Sequence, residues 1–273
     1  MGILEEVRAG KPISVPVIDA HTHLYETSSG GLHQGFHSAA DTVKLMDRIG
    51  IDAIVTSPII MGTGNVALAN KQADEAARQF PGRIYGLLTI APHDGVEGVK
   101  KEIARYCNNE RFVGMKMLIG YHGAVTREEY APAFSFAQEC GCPVTLHCWA
   151  GSMTDGQVAQ ILDRYPKVKI VLAHLGGGVR DMTVRMAKLV NQCDRLYLDS
   201  CGSHWNRLGM DEVVGLIGDE RLCYGSDMIY HDPRGEIGRV VFSGMPEESM
   251  KKIFADNYLC LLKSSQYGQI KLS

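Results

Sequence analysis

No stretch of this 273-residue chain approaches the apolar length of a membrane span. There is no block of lysine and arginine, and the formal net charge is only −3, so the electrostatic footprint of a nucleic-acid or anionic-membrane binder is missing. The eight cysteines contain no Cys-x-x-Cys pair, and Cys140-Gly141-Cys142 is not a usual zinc spacing. Cys148, Cys223 and Cys260 lie in apolar strand or helix contexts, so free buried thiols in a reducing cytosol are expected. Met1-Gly2-Ile3-Leu4-Glu5-Glu6 has acids where a secretion signal needs bases and an apolar run, which adds to the cytoplasmic expectation. What remains is an ordinary globular composition in a chain large enough to bury a core without disulfides.

The most informative stretch is Val15-Pro16-Val17-Ile18-Asp19-Ala20-His21-Thr22-His23. It reads as a buried strand ending in two histidines. Residues two apart on a strand share a face, so His21 and His23 project together about 6.6 Å apart and can converge on one cation. Seven further strands are expected at 51–57, 84–90, 111–118, 144–147, 169–174, 195–199 and 222–227. Helical spacing fills the intervals, with faces such as Val43, Met46 and Ile49, or Val158, Ile161 and Leu162. Thr126-x-x-Glu129 has the form of a capping box, and Pro132 predicts that the main helix begins near it and runs to Cys140. The alternation recurs at roughly 25 to 35 residues, the period of a βα unit, which predicts a closed (β/α)8 TIM barrel. An open doubly wound sheet would show the same alternation. No linker divides the chain, so one domain is expected over residues 1–273, with 1–14 an arm and 268–273 a tail.

Barrel strands should be apolar, and here the exceptions gather at their C-terminal ends. They are His21, His23, Lys116, His147, His174, Asp199 and Asp227. Each alone is more often a satisfied buried polar group, but packing does not explain all of them at the one rim where barrels place active sites. Several histidines and an aspartate suit Zn2+ or another first-row divalent ion. Asp199 reads better as a strand-end partner than as a catalytic group, and Gly176-Gly177-Gly178 better as tight packing than as a phosphate cradle. Tyr25, Trp149, Trp205 and His204 occupy rim loops and are candidates to line a substrate pocket. His33, His37, His122 and His231 read as solvated loop histidines.

The ordered set Asp19-Ala20-His21-Thr22-His23, Gly114-Met115-Lys116, Leu146-His147, Ala173-His174-Leu175-Gly176-Gly177, Tyr224-Gly225-Ser226-Asp227 and Ile253-Phe254-Ala255-Asp256-Asn257 spans nearly the whole chain. It resembles the amidohydrolase superfamily, in the amidohydrolase-related branch of metal-dependent TIM-barrel hydrolases. That branch also holds enzymes like aminocarboxymuconate semialdehyde decarboxylase. The resemblance implies that His21, His23, His147 and Asp227 ligate one divalent metal ion, Zn2+ first and Mn2+ second. It makes Asp227 and His174 the catalytic pair and puts Lys116 in the substrate pocket. Met228-Ile229 and Met117-Leu118-Ile119 depart from the family pattern near substrate positions, so substrate identity does not carry over. The implied activity is hydrolysis of a C–O or C–N bond in a small lactone, amide or cyclic acid. The alternatives are non-oxidative decarboxylation of a small unsaturated or aromatic acid, and a non-catalytic metal-stabilised binding protein. A homodimer is expected from similar proteins, and no nucleic-acid or membrane partner.

Overall fold

The structure is a computed structural model and describes residues 1–24, 38–149, 151–202 and 209–272. Eight parallel strands follow one another around a single sheet in chain order. They are β1 (Ile18–Thr22), β2 (Ala53–Thr56), β3 (Ile84–Ile90), β4 (Phe112–Met117), β5 (Pro143–Leu146), β6 (Lys169–Leu172), β7 (Leu196–Asp199) and β8 (Leu222–Cys223). The circle is completed by backbone bonds from the chain after β8 to β1: Ala20 N–H donates to Tyr224 O at 2.9 Å, and Asp227 N–H to His21 O at 2.9 Å. This is the (β/α)8 barrel expected from the alternation. Among the described residues, no helix is long and apolar enough to cross a membrane.

Two apolar layers hold the barrel together. One lies between strands and outer helices and includes Ile54, Met115, Met117, Val144 and Leu172. The other includes Ile18, Ala20, Ala53, Val55, Tyr85, Leu87, Val113, Val171 and Cys223, together with Ala255, Tyr258, Leu261 and Ile270 from the end of the chain. The C-terminal segment stops the N-terminal mouth of the barrel. Asn257 Nδ2 donates to Leu222 O, Lys169 Nζ to Leu261 O, and Lys271 N–H to Tyr85 Oη. Gly268 lies so close to β4 that a Cβ there would come within 2.2 Å of Phe112 O.

Several expectations change. Residues 268–273, read as a tail, include the buried Ile270 of this plug. Residues 1–14, read as an arm, carry a helix over Ile3–Arg8 with Ile3 fully buried, and Ile3 N–H donates to Glu247 Oε2. Six residues are too few for helical periodicity to register in sequence. The helix after β4 does begin next to Pro132, at Ala131, and ends at Cys140, but Glu129 pairs with Arg127 instead of forming a box with Thr126. A capping box occurs instead at Thr154 and Gln157. The eighth strand is two residues long, not six, because the chain turns away after Cys223 toward a left-handed Asp227. Gly176 and Gly177 face Met186 and Met182, with room for no Cβ, so the triple glycine serves packing.

Truncating Ile3 to Ala leaves a cavity where the N-terminal helix docks. A loss of about 2–4 kcal/mol in unfolding free energy is expected by urea denaturation. A loss below about 0.5 kcal/mol would match a solvated surface position instead.

Candidate metal centre

The centre begins with an irregularity in β1. Asp19 pairs with Ile54 and Thr22 with Thr56, so three steps along β1 match two along β2. Bulges of this kind re-aim side chains at barrel rims. His21 and His23 are both buried, with ring centroids 5.3 Å apart and planes at 76°. Asp227 reaches them from the loop after β8 with φ +59°, a conformation that costs a non-glycine residue of order 1 kcal/mol or more. Its Oδ1 lies 3.1 Å from His23 Nε2 and 3.7 Å from His21 Nε2. Gly225 permits the approach, since a Cβ there would sit 2.9 Å from the Cβ of His21.

The partners at the far side of each ring decide which nitrogen carries its proton. His21 Nδ1 is 2.7 Å from Asp199 Oδ2. Burial acts to raise the Asp199 carboxyl, but the His21 imidazole beside it outweighs this and holds it below its ordinary value. The ionised carboxylate can only accept, so Nδ1 donates and Nε2 is left with its lone pair. Lys116 Nζ, whose pKa burial lowers, lies 2.8 Å from that lone pair, and an ion held by His21 Nε2 would displace this contact. His23 Nδ1 donates to Ser57 O at 2.7 Å. Burial lowers the pKa of His23 and so favours its neutral form. Its Nε2 is then an acceptor facing another acceptor, Asp227 Oδ1. Two opposed lone pairs at 3.1 Å in a buried site call for a cation between or beside them. His21, His23 and Asp227 present ligand atoms within 4.8 Å of one another, and imidazole with carboxylate suits a first-row divalent ion. The donor set therefore fits a metal.

His147 and His174 form the opposite side. His174 Nε2 lies 3.2 Å from His147 Nδ1, and the rings are 4.7 Å apart. His174 also has a left-handed backbone, φ +56°, secured by its N–H donating to Asp199 Oδ1 at 2.9 Å. Burial pushes the His174 pKa down to about 3 and that of His147 well below its ordinary value, so both rings are neutral at pH 7. A cavity of about 280 Å3 opens between these groups, with Tyr121, Trp149 and Tyr230 as aromatic walls and Ile59, Met61 and Leu118 as apolar ones. Trp149 lies edge-on to His174, across from Gly178, where a Cβ would collide with the indole.

The structure thus brings His21, His23 and Asp227 into one cluster and joins His147 to it through His174. Trp149 lines the cavity as expected. Lys116 is completely buried under His21 and is not among the described residues lining the cavity. Tyr25 and His204, with His33, His37 and Trp205, lie outside the described residues. Sequence reasoning missed Tyr121 and Tyr230, passed over Cys201, and set His231 aside although its Nε2 is 3.7 Å from Asp227 Oδ2. Asp199 does hold a strand end, as expected, but it also orients His21, which strand position alone could not reveal.

The family model for amidohydrolases matches residues 18–257. The chain belongs to the amidohydrolase family. No curated protein matches it. Among solved structures, this amidohydrolase is similar to 2,6-dihydroxybenzoate decarboxylase complexed with 2,6-dihydroxybenzoate, with a TM-score of 0.74 and 15% identity over 91% of this chain and 99% of that one. It is similar to the 5-carboxyvanillate decarboxylase LigW of Sphingomonas paucimobilis, with a TM-score of 0.69 and 14% identity over 92% and 100% of the two chains. It is also similar to the 5-carboxyvanillate decarboxylase of Novosphingobium aromaticivorans complexed with manganese and 4-hydroxy-3-methoxy-5-nitrobenzoic acid, with a TM-score of 0.71 and 17% identity over 92% and 96%. Identities this low carry the fold of the amidohydrolase. The expectation of hydrolysis finds no support among the three structures named, which are all decarboxylases of aromatic acids, and it is corrected on that ground. Lys116, expected in the substrate pocket, is tucked behind His21 and is no guide to the bond being broken.

Adding Mn2+ or Zn2+ to chelator-treated protein should raise its thermal midpoint by several degrees, since saturation at 100 times Kd corresponds to about 2.7 kcal/mol. No rise with either ion would mean that a proton on His23, not a metal, satisfies the opposed acceptors.

Proposed function

We propose that this amidohydrolase is a metal-dependent, non-oxidative decarboxylase of a small aromatic acid. The observation that carries the reading is the cavity. It has room for about one substituted ring, its walls are the flat side chains Tyr121, Trp149 and Tyr230, and its polar groups gather at His23, His147, His174 and Asp227. A ring stacked among the aromatic groups would present its carboxylate to the histidine side. The similar solved structures, named for substituted benzoates, support the same substrate class.

His21, His23 and Asp227, with His147 beside them, would hold one divalent ion, zinc or manganese, whose charge would draw electrons from the bound acid. Manganese is present in three of the similar structures. The reaction breaks the bond between the ring carbon and the carboxylate, releases CO2 and places one proton on the ring carbon. Asp227 is the proposed carrier of that proton. Its Oδ2 faces His231, which is 28% exposed and links the carboxylate to the outside of the cavity. His174, neutral at pH 7, would border the substrate carboxylate without adding a positive charge that holds it in place. The apolar walls exclude water from the developing negative charge on the ring.

The test is a panel of hydroxybenzoates and carboxyvanillate-type acids, scored for CO2, beside lactones, esters and amides scored for hydrolysis. CO2 release from at least one aromatic acid is expected. His174→Asn should lower it about 10–100-fold. Cleavage of an ester, lactone or amide with no CO2 from any acid would refute the proposal. His23→Ala should lower metal content measured by mass spectrometry, and full retention would remove His23 from the ligand set.

A further inference from the structure

We propose that Cys201 is a positioning residue that passes the hydrogen-bonding demand of Asp199 to His174 and on to His147, leaving His147 with a free Nε2 lone pair. The thiol is completely buried where three polar groups meet. Its Sγ lies 2.9 Å from Asp199 Oδ1, 3.0 Å from His21 Nδ1 and 3.3 Å from His174 Nδ1. It has one proton to place among them.

The carboxylate oxygen is the strongest acceptor of the three, so the S–H donates to Asp199 Oδ1. His21 Nδ1 is already a donor, to Asp199 Oδ2 at 2.7 Å. The sulfur then offers His174 Nδ1 nothing but lone pairs. That contact is attractive only if His174 Nδ1 carries a proton. His174 Nε2 is consequently an acceptor, and at 3.2 Å it takes the Nδ1 proton of His147. The other nitrogen of His147 is left unprotonated, the state a metal ligand needs.

Reversing one bond reverses the chain. Were the thiol to donate to His174 Nδ1, His174 would carry its proton on Nε2 and give it to His147 Nδ1. His147 would then be protonated on Nε2 and unable to coordinate through it. Asp199 prevents this by holding the thiol proton. Its two oxygens thus set three rings, His21 directly and His174 and His147 through sulfur. Among the described residues Cys201 is the side chain placed to do this, because Asp199 itself meets His174 at the backbone N–H.

The tautomers belong to the metal-free protein, whereas their link to metal rests on the ligand set proposed above. The experiment uses the full chain, metal-free and labelled with 15N-histidine, in which two-bond 1H–15N correlations report the protonated nitrogen of each ring. His174 and His147 should both be Nδ1–H in the wild type. Cys201→Ser should preserve this, because a hydroxyl also donates once and accepts. Cys201→Ala should move His174 and His147 to Nε2–H or to a mixture, and weaken Mn2+ binding about 10–100-fold in calorimetry. An Nε2–H His174 in the wild type, or unchanged tautomers in Cys201→Ala, would overturn the proposal. The wild type and Cys201→Ser decide the matter even if Cys201→Ala does not fold. Altered tautomers with unchanged Mn2+ affinity would uphold the role of Cys201 and strike His147 from the ligand set.

Discussion

Two atoms that repel each other organise this molecule: Nε2 of His23 and Oδ1 of Asp227, both acceptors, held 3.1 Å apart on two buried residues at the edge of the cavity. Such a pair costs stability unless a positive charge serves both. The protein commits much of its rim to keeping it. Ser57 O fixes the tautomer of His23, Asp199 fixes that of His21, and the buried Lys116 Nζ meets the remaining lone pair. The arrangement is an acceptor-rich hollow with Lys116 behind it.

The backbone makes that arrangement possible in three places. The bulge in β1 aims both histidines together. Left-handed conformations at His174 and Asp227 turn those side chains back over the barrel mouth. Gly225 lets the turn after β8 lie against His21. All three are local departures from an otherwise regular (β/α)8 frame, and all occur within one layer of residues at the C-terminal ends of the strands. Strain that would be costly in the apolar layers is tolerated here because the surrounding hydrogen bonds over-determine it.

The barrel and the polar rim were legible in sequence because both rest on short-range patterns. Polar residues at the ends of apolar strands mark His21, His23, His147, His174 and Asp227 without any knowledge of contacts. The relation of Asp199 to His21 spans 178 positions and leaves no local trace. Cys201 sits in a loop after β7 and looks like any small apolar residue until its three neighbours are seen. Tyr121 comes from a one-turn helix over Ile119–His122 and Tyr230 from a turn, and sequence dictates the course of neither. Lys116 was visible, but its direction was not: in β4 an extra residue between Phe112 and Gly114 shifts the register, and Nζ runs beneath His21 instead of into the cavity. The chemical class depended on residues that patterning could locate but not orient.

The plug at the other end of the barrel bears on how the chain reaches this state. The layer inside the strands is covered by Tyr258, Leu261 and Ile270, all of them beyond the eighth strand in the chain. The first helix is held by Glu247, nearly the whole chain length away. Without residues 247–270 the barrel is open-ended, with an unsealed interior and an undocked N-terminal helix. The docking of that one stretch closes the floor and seats the first helix together. The rim histidines gain a rigid floor only with that docking, so a barrel halted before it would expose apolar strands and a half-built centre together.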